Sequence, residues 1–478
     1  MESTFDIVKD LKERIDKFLA TSIGEEIIQY YFRRFNIPPE VSSQYIKQKL
    51  ALNYSVKNNS YLPILKLPYL LISVIKYLIF ILITFTFSKR HLPNQKKFTL
   101  IIDDLHEEHE LSRWEALEKK FNTEKTLYVA RFSPPFQRQN QNIFFQKNFF
   151  SYSRKQILNK LLSHLFSDLF YLIKLSLLSK LNLVHIHSHF SNDYLYYKTL
   201  FKICHADFLI QDRNLGRTNA LKNYLFKESG GVATSCVQKN IVQHNGDGLF
   251  YDIDIFFSYG DKTAEDILDL GGRINEVHPV GSFAMRNAQL RRNTTFTEDL
   301  DILYIGINAV TSSRTDWTSY YESVEWLVEF AKKNKEKKIF IKHHPSWKED
   351  DIELELLKDS GVKYLNKEFD TYEASYKSSS IVTYGSSMGY ELLGKGCNVL
   401  FLDPNQDNPY INRFVKNYDN VIYRYDDMER LLLSPDRLQI MNESIEAGHF
   451  CVNNLKVEQE IHKNLLSYPL HKMHQPYE

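Results

Sequence analysis

Between residues 337 and 404 the chain reads KKIFIKHHPSW, then a charged segment of helical period, then SSSIVTYGSSMGYELLGKGCNVLFLDP. Two short β-branched strands, at 339–342 and 381–384, each run into a polar cluster. His343, His344 and Pro345 follow one; Gly385, Ser386 and Ser387 follow the other. Helical segments between consecutive short strands are the mark of parallel pairing, because antiparallel neighbours need only a tight turn. In an open parallel sheet the loops at the carboxyl ends of the strands gather helix N-termini and free backbone N–H groups, which is where such sheets hold ligands.

The same alternation extends in both directions. Upstream it predicts strands at 98–102, 126–130, 183–186, 207–210, 232–236, 253–258 and 277–280, with helices at 111–121, up to 200, at 219–226 and from 262. Downstream it predicts strands at 302–305, 339–342, 362–365, 381–384 and 398–402, separated by helices at 317–332, 350–358, 371–376 and 388–395. The expected class is α/β, with two Rossmann-like parallel-sheet domains facing a cleft. A polar, basic, strand-free run at 282–301 is the predicted linker. It divides the alternation into domains at 98–285, with a helical insertion near 150–182, and at 300–440. A helical tail at 441–478 can return to the first domain. For 478 residues, two domains of roughly 200 are the ordinary expectation.

Residues 1–97 form a helical N-terminal extension. Phe5, Val8, Leu11, Ile15 and Phe18 recur at helical spacing and NIPPE breaks the run, which predicts a solvated helical cap. Residues 67–87, LPYLLISVIKYLIFILITFTF, are long and apolar enough to cross a bilayer, yet Lys76 near the middle would cost roughly 3 kcal/mol there. Basic residues flank both ends, Lys57 and Lys66 before and Lys89 and Arg90 after, so no direction of insertion is favoured. The expectation is a helix lying in the membrane interface with Lys76 reaching to the headgroups and both flanks on the cytosolic side. A second wide apolar stripe, at 157–181, reads either as a packed helix or as another membrane-facing one. The N-terminus lacks the basic-then-apolar pattern of a signal peptide, and the four cysteines have no CxxC spacing, which points to a reducing compartment. Lys plus Arg (60) balances Asp plus Glu (59), so no global field recruits nucleic acid.

Several side chains at the predicted strand ends can carry chemistry. Gly306 and Asn308 follow the strand at 302–305, where a glycine lets backbone approach a ligand. His344, followed by Pro345, can donate to an anionic oxygen, and Lys342 and Arg314 can add charge. Ser386 and Ser387 open a helix; one serine suffices for a cap, and the second leaves a hydroxyl for an anion. Glu391 projects one turn further along the same face, where a carboxylate repels phosphate but suits a pair of ribose hydroxyls. In the first domain Asp103, Asp104, His187, Asp212 and Glu228 are candidates for a general base, with the carboxylates Asp104 and Glu228 preferred. Asp103, His187 and Asp212 remain acceptor-side candidates.

The HP element, followed some forty residues later by a strand, SS and xxxE, resembles the C-terminal half of GT-B-fold glycosyltransferases. The likeness is greatest to those of bacterial surface polysaccharides: capsule synthesis proteins, Kdo and sialic acid transferases and CDP-glycerol glycerophosphotransferases. VHIHSHF, TSCVQKNIVQHNGDG, DIDIFFSYGDKTAEDILDLGG and VHPVGS extend it upstream, so that it covers about 183–403. The resemblance implies that His344, Ser386 and Ser387 contact the nucleotide phosphates and that Glu391 binds the ribose. It implies transfer of a sugar or polyol phosphate from a nucleotide-activated donor to a membrane-proximal or lipid-linked glycan, without a tightly held metal or any cofactor beyond the nucleotide-sugar co-substrate. It also places the protein on the cytoplasmic face of a bacterial inner membrane.

Other readings compete. His185, His187 and His189 alternate, so on a strand they would share one face as metal ligands do in hydrolases. A nucleotide-sugar epimerase would use the same twin-domain fold without a separate acceptor. A non-catalytic nucleotide-binding partner of a polysaccharide assembly complex would keep the fold without turnover.

Overall fold

The computed structural model describes residues 4–52, 54–55, 60–61, 67–87, 96–105, 109–130, 142–145, 159, 162–212, 219–239, 248–290, 298–306, 317–344, 350–366, 368–406, 408, 411, 413–438 and 447–468. The chain divides into two compact units. An N-terminal unit takes Val8–Phe257, Ile267–His278 and Glu458–Glu478, and a C-terminal unit takes Ser258–Asp266 and Pro279–Val457 together with the first seven residues. The run at 282–301 read as the linker comes just after the main passage into the C-terminal unit, at Pro279. Its first part is the helix Phe283–Leu290, inside the C-terminal unit, where Met285 packs with Tyr259 and Cys451. The extension at 1–97 is likewise mostly built into the N-terminal unit.

The N-terminal unit holds a seven-stranded sheet. Its strands are β1 (Leu100–Leu105), β2 (Thr126–Ala130), β3 (Asn142–Phe145), β4 (Phe208–Gln211), β5 (Ala233–Val237), β6 (Asp252–Ser258) and β7 (Arg273–Pro279). Their order across the sheet is β7-β6-β5-β4-β1-β2-β3. The pairings from β6 to β3 are parallel. The C-terminal unit holds a six-stranded sheet of β8 (Leu300–Ile305), β9 (Ile339–Lys342), β10 (Lys363–Tyr364), β11 (Ser378–Thr383), β12 (Val399–Leu402) and β13 (Val421–Ile422), in the order β10-β9-β8-β11-β12-β13 and parallel throughout. The strands β1, β5 and β12 are buried along their whole length, as strands covered on both faces must be; β12, VLFL, is apolar throughout.

Both sheets are thus wound the same way. The first three strands run outward from a central one, and the chain then returns to the other side of that centre, the doubly wound Rossmann order. The reversal leaves a crevice beside the central strand, between β1 and β4 in one unit and between β8 and β11 in the other.

Three sequence expectations fail in the N-terminal unit. Residues 183–186 are not a strand but the first turn of the helix Leu183–Ile203. Asn182 stops any strand here, because its side chain accepts from the His185 N–H at 3.1 Å and caps the helix. The Leu183 N–H donates to the Ser176 hydroxyl at 3.0 Å. The alternating histidines consequently do not share a face. His185 and His189 lie one turn apart with ring centroids 4.6 Å from each other, while His187 points into the core. Among the described residues, no group of three or more His, Cys, Asp or Glu is placed to hold a metal ion. Conversely β3 forms within a segment read as loop, and its Asn142 side chain donates to the Glu124 carbonyl at 3.0 Å.

The helices at 1–52 are not a solvated cap. Gln44 and Gln48 are buried and donate to the Phe250 carbonyl at 3.0 and 2.7 Å, tying the helix Pro39–Leu52 to the loop before β6. Tyr30, Tyr31 and Phe35 of the helix Ser22–Phe35 surround the His187 ring with Tyr77 of the apolar helix Leu67–Phe87. The returning tail helix Val457–Ser467 sets His462 edge-on to Phe121, at 4.7 Å between ring centroids.

Burial pushes the His187 pKa down to about 3, with a smaller push from Arg34, and burial pushes the His189 pKa down to about 4. Histidines held neutral in the fold take up protons more readily once it opens. Stability is therefore full above the ordinary histidine value near 6.5 and falls as the pH drops from there towards the folded values. Lowering the pH from 7 to 5 should cost about 2 kcal/mol at His187 alone. Denaturant titrations of the native chain and of His187→Phe at both pH values check this, and the variant should lose distinctly less on acidification.

Candidate functional site

In the C-terminal unit the crevice beside β8 is lined by strand ends. β8 leads into Gly306, β9 into His343 and His344, β11 into Ser386 and Ser387, and β12 into Asp403. Backbone and side-chain bonds lock these ends to one another. The Gly306 N–H donates to the Lys342 carbonyl at 3.0 Å. The Thr383 hydroxyl donates to the Ile305 carbonyl and accepts from the Ser386 N–H, at 3.0 and 3.1 Å. Asn408 is buried, donates to the carbonyls of Tyr384 and Leu402, and receives Asp403 Oδ1 on its own N–H at 2.9 Å. The predicted Gly306, Lys342, His344, Ser386 and Ser387 are accordingly brought to one edge of one sheet. Asn308, Pro345 and Arg314 lie outside the described residues.

The serine pair divides its work. Ser386 Oγ accepts from the Met388 N–H at 3.3 Å, the local bond that opens the helix Met388–Gly394. Ser387, at φ −59° and ψ −23°, makes no side-chain capping bond. One serine thus supplies the structural turn, leaving the other for a different task.

The histidine pair is also split. His344 is exposed, whereas His343 is buried. His343 Nε2 donates to Glu353 Oε1 at 2.6 Å, and the fully buried Glu353 also accepts from Tyr320 Oη at 2.7 Å and Tyr364 Oη at 3.0 Å. Burial, above all, holds the Tyr320 phenol well above its ordinary pKa, so it remains a donor. Gly306 serves this arrangement: a Cβ there would overlap the His343 ring. The glycine clears space for a side chain rather than for a ligand. His343 and Glu353 went unrecognised as site residues, although the inward alternation of Ile339, Ile341 and His343 along β9 is a signal that could have marked the histidine.

Two further residues are more enclosed than their expected roles required. The Lys342 ammonium is buried and donates to the Asn366 carbonyl at 2.5 Å. Glu391 is buried and accepts from the hydroxyls of Ser282 and Tyr372, the latter at 2.7 Å. Burial first, and then the Glu391 charge, pushes the Tyr372 phenol well above its ordinary pKa. Glu391 does receive hydroxyl groups, but they belong to the protein.

In the N-terminal unit the crevice beside β1 collects carboxylates. Asp103 and Asp104 end β1, and Asp212 follows β4 with its N–H donating to the Asp103 carbonyl at 3.0 Å. All are buried. Asp103 Oδ2 accepts from Lys222 at 2.8 Å, and Lys222 also donates to Gln211 at 2.8 Å. Asp212 Oδ1 accepts from the Trp114 indole at 2.6 Å, with Lys239 and Arg113 at 3.8 and 3.6 Å from Oδ2. Asp104 occupies the left-handed region at φ +69°, where the β1–β2 register slips. A non-glycine residue held there costs about 1–2 kcal/mol, and such strain concentrates where a side chain must be aimed.

Glu228 and His187 do not join this cluster. Glu228 ends the helix Ala220–Glu228, which runs back from the carboxyl end of β4 to the amino end of β5, and it pairs with Lys198 at 2.5 Å. His187 is buried in the helix Leu183–Ile203, with Nε2 3.2 Å from Tyr77 Oη. Residues 240–247, within the TSCVQKNIVQHNGDG stretch, lie outside the described residues.

No protein-family model and no curated protein sequence matches the chain. Among solved structures, it is similar to the UDP-GlcNAc 2-epimerase of Neisseria meningitidis bound to UDP-GlcNAc, at 10% identity and a TM-score of 0.49, over 77% of this chain and 99% of that one. It is similar to the wall teichoic acid polymerase TagF solved with CDPG, at 10% identity and a TM-score of 0.47, over 86% and 100%. It is also similar to MurG of Acinetobacter baumannii, at 11% identity and a TM-score of 0.43, over 77% and 99%. The likeness concerns architecture; the chemistry has to be argued from the residues of this chain.

Proposed function

We propose that the chain is a nucleotide-sugar-dependent glycosyltransferase, moving a sugar or polyol phosphate from a nucleotide-activated donor to a membrane-proximal or lipid-linked glycan on the cytoplasmic face of the inner membrane. The observation that carries this reading is the pairing of chemistry with topology. Each sheet reverses its strand order once, and the polar strand ends stand at both reversals. In the C-terminal unit those ends offer N–H groups, the exposed His344 and the uncapping hydroxyl of Ser387, all suited to a diphosphate. In the N-terminal unit they offer the carboxylates Asp103, Asp104 and Asp212, suited to a hydroxyl nucleophile.

The transfer needs few parts. A carboxylate takes the acceptor hydroxyl proton as the oxygen attacks the donor carbon or phosphorus, and the bond to the nucleotide phosphate breaks. Donors around the departing phosphate stabilise its growing charge, the role assigned to His344 and Ser387. Asp104 is the proposed base: it stands at the crevice in a left-handed, strained conformation that aims its carboxylate. Glu228 is set aside because it lies at the opposite end of the sheet. Glu391 keeps its place as a hydroxyl-accepting carboxylate near the donor, exchanging Ser282 or Tyr372 for ribose.

The test is product identity. With membranes or a lipid-linked glycan present, the native chain should release free nucleotide and label the glycan, and Asp104→Asn should lower turnover at least a hundredfold. An isomerised sugar still attached to its nucleotide, formed without an acceptor, would contradict the reading in favour of an epimerase. Nucleotide binding without turnover would contradict it in favour of a binding subunit.

A further inference from the structure

The helix Leu67–Phe87 is turned inside out for a soluble protein. The stripe packed into the N-terminal unit is Leu70, Ser73, Tyr77, Ile81 and Thr84, three of which carry hydroxyls inward, while Leu71, Ile75, Leu78 and Leu82 are exposed on the other side. The packed stripe is held by hydrogen bonds to the helix Leu183–Ile203 and its cap. Asn182 donates to Ser73 Oγ at 2.9 Å, and Tyr77 Oη lies 3.2 Å from His187 Nε2 and 3.3 Å from Ser191 Oγ. The helix Leu165–Ser179 packs Leu169, Leu172 and Leu175 inward together with Asp168 and Ser176, and it too leaves large apolar side chains outside. Asp168 is buried on a salt bridge to Arg34 at 2.8 Å, while Phe166 and Phe170 are 81% and 75% exposed. Burying polar groups while leaving rings and aliphatic chains outside is favourable only where the surroundings are themselves apolar.

We propose that these two helices form one docking surface for an anionic bilayer, with Leu67–Phe87 lying flat in the interface rather than crossing it. Charge selects the occupant. Lys76, Lys174 and Lys180 are exposed on or beside these helices, and Asp168, the sole acidic residue within them, is buried and paired. Lys76 lies about 100° round the helix axis from Tyr77, on the flank between the packed and apolar faces, where its ammonium reaches headgroups without crossing hydrocarbon. The packed stripe rules out a span. Its partner helix carries Asp193, which binds Lys49 at 3.0 Å and Tyr45 at 2.9 Å inside the N-terminal unit, and a spanning helix would either break these bonds or drag that core into lipid. This surface stands on observations independent of the nucleotide site.

The experiment uses the full chain and preformed vesicles of phosphatidylcholine, alone or mixed with phosphatidylglycerol. In flotation, the native chain should bind the mixed vesicles and bind phosphatidylcholine more weakly. Phe166→Ser with Phe170→Ser, both exposed and so neutral to folding, should weaken binding to the mixed vesicles about tenfold. Lys76→Glu with Lys174→Glu should weaken binding to the mixed vesicles by a similar factor and remove the preference for them. For orientation, an environment-sensitive fluorophore is placed on Ile75→Cys or on Phe85→Cys in a Cys397→Ser background, and its depth is read by lipid quenchers. A flat helix gives both sites the same shallow depth, whereas a spanning one separates them by about 15 Å. The proposal is overturned by any of the following: native protein that does not float with the mixed vesicles, phenylalanine variants that float like native, two separated depths, or self-association that shields both fluorophores without lipid.

Discussion

Glu353→Ala should destabilise the C-terminal unit by about 3–5 kcal/mol, the largest loss expected from a single change at the strand ends. The carboxylate is fully buried and accepts from His343, Tyr320 and Tyr364, at 2.6, 2.7 and 3.0 Å. Truncation removes the shared acceptor and strands these donors in a site too enclosed to admit solvent freely. Glu353→Gln keeps the shape and one acceptor oxygen, and should cost less than half as much. Denaturant titration followed by intrinsic fluorescence measures both. Equal losses for the two variants would mean that packing, not the hydrogen bonds, holds the site.

Gly306→Ala is the second large effect, and it acts through the same histidine. The added methyl overlaps the His343 ring, so the ring has to leave Glu353 or β8 has to move away from β9. Overpacking of this kind costs about 1–3 kcal/mol, and it displaces the loop that carries His344. The expected signature is coupling. With His343→Ala in the background, the added methyl finds room, so the double variant should be more stable than the sum of the single losses predicts by at least about 1 kcal/mol. Strict additivity would show that Gly306 is needed for some other reason.

Much of this fold can be read along the chain, and the reason is local. β9 and the helix Thr371–Tyr376 fall on their predicted residues, and most other strands begin or end within two or three of them, because a buried parallel strand announces itself by a short β-branched run between helical periods. The crevices were also legible, since a strand end is a place in the sequence: Gly306, Ser386 and Ser387 on one side, Asp103, Asp104 and Asp212 on the other. What stayed illegible depended on partners far away or on a single neighbouring residue. Glu391 meets Ser282 across 109 residues, and no spacing rule foretells that contact. VHIHSHF has the alternation of a strand and became a helix because one residue before it, Asn182, caps the first turn. The chain crosses between the units at 258, 267, 279 and 458, and the returns at 258, 267 and 458 have no local signal along the chain.

The central claim, that the strand ends beside β8 hold a nucleotide, is tested most directly by thermal shift. The full chain is melted alone and with CMP, CDP, UDP, GDP or dTDP, and the series is repeated with His344→Ala and Ser387→Ala. The account predicts that one nucleotide raises the melting temperature of the native chain, and that both variants melt like native when alone yet lose most of the rise. No stabilisation by any nucleotide, or variants that respond as the native chain does, would contradict it.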